Sequence, residues 1–290
     1  MAYTRVLALT ALTMAAFAGN SLLCRAALKT THIDAASFTS LRLISGALVL
    51  WLIMQLRRSR DAGRGSWRSA AALCMYAAGF SYAYIRLPAS TGALLLFGAV
   101  QATMIGYGIW SGERLRTIQL AGLVLAFAGL LGLLLPGVTA PPLLSAVLML
   151  GAGVAWGVYS LRGRGAGDPI AVTAGNFLRS VPIAIALNAV AFKGMDVEAA
   201  GIGYAVASGA LASGLGYAIW YTVLPALKAT SAATVQLSVP VIAALGGVLL
   251  LGEHITMRLV WTSVAILGGI ALVILEKRPQ AGAQMGAAEQ

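Results

Sequence analysis

Charge is scarce in this sequence. Only 10% of its 290 residues are Asp, Glu, Lys or Arg, whereas an ordinary soluble domain carries about 25%. That deficit excludes a soluble globular enzyme. The net charge of +11 is not the footprint of a nucleic-acid binder either, because no soluble stretch is long enough to collect basic and aromatic residues on one folded domain. Cysteine is nearly absent. Cys24 and Cys74 both sit inside apolar segments, where a free thiol behaves as a small buried hydrophobe, so neither a disulfide framework nor a metal site is expected. The two histidines, His32 and His254, fall in separate connecting stretches, and no Ser/His/Asp or Cys/His constellation can be assembled. GAGVAWG at 151–157 lacks the strand and loop of a dinucleotide fingerprint, and its glycines fit close helix approach instead. No cofactor and no metal are expected.

What the chain has instead is apolar length: 59% of its residues are hydrophobic. Ten apolar segments, 4–24, 35–56, 68–86, 90–111, 117–135, 143–161, 169–191, 200–223, 230–250 and 257–275, approach the roughly 20 residues needed to cross a bilayer as a helix. Hydrocarbon forces each backbone group to pair within the protein, which suits helices of this length and not the shorter alternating strands of a barrel. The first segment, with Arg5 ahead of VLALTALTMAAFA and Gly19, also has the outline of a secretory signal. Cleavage there would remove the repeat partner of residues 153–161, so it is read as the first membrane helix.

Basic residues orient the bundle, since short cytoplasmic loops hold the excess of Lys and Arg. Arg57, Arg58, Arg60, Arg64 and Arg68 cluster after the second segment, and thirteen basic residues in all fall on that side against five on the other, Arg25, Lys29, Arg86, Lys193 and Arg258. Both termini are therefore expected in the cytoplasm, with Arg42 and Arg179 inside helices.

The segments repeat. SGERLRT at 111–117 returns as LGEHITM at 251–257, and at this offset of 140 Gly129 falls on Gly269 and Leu135 on Leu275. At 139, Phe17, Ser21 and Leu22 fall on Trp156, Ser160 and Leu161, and at 137 Leu41-Arg42 falls on Leu178-Arg179. Each half thus has five helices, and an odd number sends the second half through the membrane upside down, the inverted arrangement of alternating-access transporters. The expected fold is an all-α membrane protein of ten transmembrane helices in two inverted-topology five-helix repeats, 1–138 and 139–279, followed by a cytoplasmic tail at 280–290.

Ten helices in inverted halves, Gly-Glu plus an aliphatic residue between helices four and five and again between nine and ten, and Leu-Arg in helices two and seven resemble the EamA-type branch of the drug/metabolite transporter superfamily. Within it, the length and the stretch Trp156-Gly157-Val158-Tyr159 are similar to the YddG aromatic amino-acid exporters. The resemblance implies a central cavity walled mainly by helices one, three, four, six, eight and nine, with Trp156 and Tyr159 among its aromatics and helices five and ten at the periphery. The sequence departs from the pattern in helix four, where Val100-Gln101-Ala102 stands in place of an aromatic followed by Pro.

Polar side chains inside a membrane are costly enough to mark candidate sites. Asn20 and Ser21 lie in helix one, Gln101 in four, Tyr159 and Ser160 in six, Asn176 in seven and Gln236 in nine. Phe17 and Cys24 share the stripe of Asn20, and Phe97 and Met104 that of Gln101. Helices three and eight add Tyr76, Tyr82, Tyr217 and Trp220, although rings near helix ends also mark the interfacial belt. The candidate substrate-binding set is therefore Phe17, Asn20, Ser21, Tyr76, Tyr82, Gln101, Trp156, Tyr159, Tyr217, Trp220 and Gln236. The competing reading of the polar members is interhelical hydrogen bonding without a ligand. Arg42 and Arg179 could hold a carboxylate bidentately. Their helices lie outside the implied cavity, which favours a structural role, snorkelling or bonding carbonyls.

The nine acids all fall in connections, at helix ends or in the tail. The buried acid with which small multidrug antiporters of the same superfamily exchange protons is thus missing, and facilitated export is the simpler mechanism. The expectation is an inner-membrane exporter of amino acids and related small metabolites, working by alternating access, with a drug or organic-cation exporter or another metabolite class as alternative. A membrane enzyme would need catalytic groups at depth, and a channel rings of charge or carbonyls. The expected partners are the substrate and the lipid bilayer, not nucleic acid, and the expected form is a monomer.

Overall fold

A computed structural model describes residues 3–57, 65–112, 115–135, 137, 140–163, 168–191, 198–227 and 235–275. Glu113, the basic residues Arg58, Arg60, Arg64, Arg114, Arg164, Lys193, Lys228, Lys277 and Arg278, residues 230–234 of the ninth expected segment and the tail lie outside them.

Every regular element among the described residues is helical. In chain order they are α1 (Tyr3–Thr30), α2 (Ala35–Leu56), α3 (Trp67–Tyr84), α4 (Ala89–Trp110), α5 (Thr117–Leu134), α6 (Leu143–Arg162), α7 (Pro169–Ala191), α8 (Ala199–Val223), α9 (Ser238–Leu251) and α10 (Met257–Leu275). Eight are long and apolar enough to cross a membrane. The other two are α3, which carries Arg68 and three tyrosines, and α9, whose 14 residues rise about 21 Å.

Local chemistry sets several boundaries. Asp34 caps α2 by accepting from the backbone N–H of Ala36 and Ser37 at 2.9 and 3.0 Å, and Ser66 caps α3 through Ser69 N–H. The first helix runs past the expected residue 24 to Thr30, because Arg25 and Lys29 donate to backbone carbonyls of neighbouring elements instead of ending the helix in water. Gly252, with φ of 62°, closes α9 in the left-handed region, so that Glu253 N–H turns back to Gly247 O at 3.0 Å. Gly112, with φ of 91°, holds the same place after α4. The glycine of each Gly-Glu turn is thus fixed by backbone geometry. In α8, Ser208–Leu215 is wound as a π-helix, which hydropathy does not foretell.

Helix packing reproduces the repeat. α2 packs on α7, α4 on α9 and α5 on α10; α3 meets α6 as α8 meets α1, α3 meets α7 as α8 meets α2, and α4 meets α6 as α9 meets α1. Advancing five helices maps α2–α7, α4–α9 and α5–α10 each onto itself and exchanges the members of the other three couples, as a pseudo-two-fold axis requires. Small residues allow the closest approaches. A methyl on Gly153 would stand 2.6 Å from Leu96 O across the α4–α6 contact, and one on Gly122 2.6 Å from Gly269 O across α5–α10. The α5–α10 pair stands at the edge of the bundle, where an apolar crevice lined by Gly98, Phe127 and Ile270 separates it from α4.

Candidate functional site

Five helices enclose a central cavity. α1 contributes Phe17 and Asn20, α3 contributes Tyr76 and Phe80, α4 Leu96 and Phe97, α6 Trp156, and α8 Ala212 and Tyr217. The spacing of 3 or 4 residues in α1 and α3 puts both wall residues of each on one helical face. The space is narrow, about 20 Å³, where one water needs about 10 to 15 Å³ in the same measure. Admitting a metabolite therefore requires the helices to part.

Trp156 is the hub of an aromatic cluster. Its centroid lies 4.9 Å from Tyr76, 5.0 Å from Tyr217 and 5.4 Å from Tyr159, the last stacked at 27°. Phe17 meets Tyr217 and Trp220 edge-on at 5.8 and 6.0 Å. On the polar side, Asn20 Nδ2 donates to Tyr76 Oη at 3.2 Å and Asn20 Oδ1 accepts from Ser208 Oγ at 2.6 Å. Arg42 stands directly behind this wall. Its guanidinium covers the rings of Tyr76 and Phe80 at 5.1 and 4.9 Å, with Nη2 donating to Tyr76 Oη at 3.0 Å and Nε to Ser213 Oγ at 3.2 Å.

Of the residues expected from sequence, Phe17, Asn20, Tyr76, Trp156 and Tyr217 meet on the cavity wall. Tyr159 and Trp220 form a layer behind it. Tyr159 Oη accepts from Asn176 Nδ2 at 3.5 Å, and Asn176 Oδ1 accepts from Ser66 N–H at 2.9 Å, so Asn176 joins α7 to its neighbours. Gln101 is buried one turn from Phe97, Ser21 is buried beside Asn20, and Tyr82 and Gln236 are half-buried; none of these four lines the cavity. Ser160 bonds its own helix at Trp156 O. Sequence reasoning did not select Phe80, Leu96, Phe97 or Ala212. Phe80 and Phe97 carried a usable signal, one turn from Tyr76 and Gln101. Ala212 did not, since its facing depends on the π-helical turn. Arg179 donates to Gly175 O at 3.0 Å in its own helix, as a structural arginine would; Arg42 meets hydroxyls and rings instead.

Polar clamps hold both ends of the bundle. At the end carrying residues 31–34, 85–88 and 252–256, Arg25 Nε pairs with Glu253 Oε1 at 3.2 Å, and the side chains are 14% and 7% exposed. Arg25 Nη1 donates to Tyr84 O and Ile85 O, Ala89 N–H donates to Glu253 Oε2 at 2.8 Å, and Lys29 Nζ donates to Leu251 O. This ties α1, α3, α4 and α9 across one mouth. At the opposite end Arg57 faces Asp168 at 3.6 Å and Arg162 donates to Ser69 and Ser66. Among the described residues no group of three or more His, Cys, Asp or Glu could hold a metal.

Comparison with known proteins matches the geometry. The model of the EamA-like transporter family fits residues 4–135 and again 143–275, one match for α1–α5 and one for α6–α10. An uncharacterized protein of Pseudomonas aeruginosa is 61% identical over 272 residues, 93% of this chain and 94% of its own. An uncharacterized transporter of Archaeoglobus fulgidus is 28% identical over 170 residues, 57% of this chain and 60% of its own. One crystal structure superposes with a TM-score of 0.65 at 18% identity, covering 93% of this chain and 97% of that one, which establishes the shared fold.

Proposed function

The chain belongs to the EamA-like transporter family of the drug/metabolite transporter superfamily, so it is a multi-pass membrane transporter of small molecules, and from that premise we propose that it exports amino acids. In this reading the halves 1–138 and 139–279 rock about the central cavity in the inner membrane, with both termini in the cytoplasm, and carry substrate down its gradient as a monomer. The observation that supports it most is the wall itself: flat rings of Phe17, Tyr76, Trp156 and Tyr217 beside the amide of Asn20. Such a surface takes an apolar or aromatic side chain against rings and the polar end of the molecule against hydrogen-bonding groups. Gln101 and Tyr159, one layer out, would join the wall when the halves separate. An organic-cation exporter is the second reading. It is disfavoured by charge, because the cation of Arg42 stands against the wall and no acid is among the lining residues.

The test is uptake of radiolabelled phenylalanine, methionine and threonine into liposomes holding only the purified protein, with and without a proton gradient. Saturable flux that differs among side chains and persists without the gradient is expected. Absence of flux for every amino acid would overturn the reading, and non-saturating flux would point to a channel.

A further inference from the structure

Arg42 is 1% exposed in the interior of the bundle, and among the described residues no carboxylate lies within ion-pair distance of it; the ion pairs are those of Arg25 and Arg57. A buried guanidinium normally comes with an acid, since desolvating a lone charge is expensive. Here Nε and Nη2 are bound to hydroxyls, two aromatic faces cover the plane, and Nη1 has no hydrogen-bond partner among the described residues. The positive charge beside the cavity has no counterion among the described residues.

The hydroxyl of Tyr76 carries that charge to the cavity surface. Its oxygen accepts from Arg42 Nη2 and from Asn20 Nδ2. A phenolic oxygen that accepts two hydrogen bonds must direct its own proton away from both donors. That leaves it on the side of the cavity wall that Tyr76 shares with Tyr217. The phenolic O–H of Tyr76, polarised by the guanidinium behind it, is thus left to give on the wall it lines.

We propose that Arg42 and Tyr76 form a carboxylate subsite, in which Arg42 supplies the countercharge and holds Tyr76 while the phenolic donors of Tyr76 and Tyr217 meet the substrate oxygen atoms. This rests on the amino-acid reading above and deepens it, by naming the group of the substrate that is recognised. Arg179, the repeat counterpart of Arg42, is half-buried and donates to Gly175 O of its own helix. No acid faces the cavity among its lining residues, hence a substrate ammonium group meets aromatic faces, and the carboxylate, not the amine, is the obligatory group.

The experiment is equilibrium binding to the purified protein in nanodiscs, read by quenching of tryptophan fluorescence, with phenylalanine, methionine, phenylalaninamide and 3-phenylpropionate as probes. Phenylalanine and 3-phenylpropionate are expected to bind within a fewfold of each other and phenylalaninamide at least tenfold more weakly, the scale of one hydrogen bond to a charged group. Arg42→Gln should narrow the ratio of acid to amide towards one, and Arg42→Lys should restore part of it. Tyr76→Phe keeps ring and guanidinium, serves where the Arg42 variant does not insert, and should narrow the same ratio. An amide that binds as tightly as the acid in the wild-type protein overturns the subsite while leaving amino-acid export standing, and so does a ratio unchanged in Tyr76→Phe. Binding of 3-phenylpropionate without any amino acid overturns the export reading and keeps the subsite. Binding of neither acid overturns both.

Discussion

Glu253→Gln tests whether the clamp across one mouth sets the conformational balance. The carboxylate accepts two bonds, from Arg25 Nε at 3.2 Å and Ala89 N–H at 2.8 Å. Glutamine keeps the shape but offers one carbonyl oxygen, so one bond survives at neutral strength and the amide nitrogen faces a donor. A hydrogen bond to a charged group is worth about 1.5 to 3 kcal/mol and an ordinary one about half that, so the clamped form loses about 2 kcal/mol. The parted form, in which both groups meet water, loses little. The ratio of open to closed mouth should then rise about thirtyfold. Cys24 reports it directly: it is 0% exposed, sits next to Arg25 in α1, and shares the helical stripe of Phe17 and Asn20. In a Cys74→Ala background it is the one remaining thiol. Its reaction rate with a charged thiol reagent should be low in the parent and about thirtyfold higher with Glu253→Gln, since labelling follows the open population when opening is fast. A rise below threefold, in protein of unchanged thermal stability, would mean that the clamp does not hold the mouth.

Three further outcomes are expected. Trp156→Ala should weaken phenylalanine and methionine by about fivefold, on the order of 1 kcal/mol of ring contact, and threonine less; equal ratios of initial flux per folded molecule for all three would remove Trp156 from the site. Gly269→Val should destabilise the α5–α10 pair by about 1 to 3 kcal/mol, because an added methyl collides with Gly122 O, while Gly268→Val, where a Cβ meets nothing within 4 Å, should leave melting of the detergent-solubilised protein unchanged; equal effects would refute the packing. Reporters fused after Gln290 and within residues 60–66 should both report cytoplasm, and a signal from the far side at either would overturn the proposed orientation.

How much of this was legible in the sequence depends on which force acts at each place. Helix count and repeat are dictated by hydropathy, which reads straight from residue order, so α2–α8 and α10 lie within two residues of expectation. The Gly-Glu turn was legible because only a glycine takes the left-handed position of Gly252 at low cost. The end of α1 was not: Arg25 reads as a residue leaving the membrane, but its hydrogen bonds are made by α3 and the turn after α9, remote in sequence. For the same reason Arg42 reads as a snorkelling side chain on a peripheral helix, because sequence gives no sign that Tyr76, Phe80 and Ser213 converge around it. Five of eleven site residues reached the wall, those whose helical stripe faces the centre. Tyr82 and Gln236 did not, since the composition of a residue says nothing about which way its helix is turned.

The π-helical stretch of α8 has a mechanical meaning. Its winding sets Ser208 and Ser213 five residues apart on Asn20 and Arg42, and Ala212 and Tyr217 five apart on the cavity wall. A helix wound this way has less twist per residue than the α form on either side. A uniformly α-wound span, at about 3.6 residues per turn, would carry residues five apart to different faces, so the wider winding is what lets one helix meet Asn20 and Arg42 while lining the cavity.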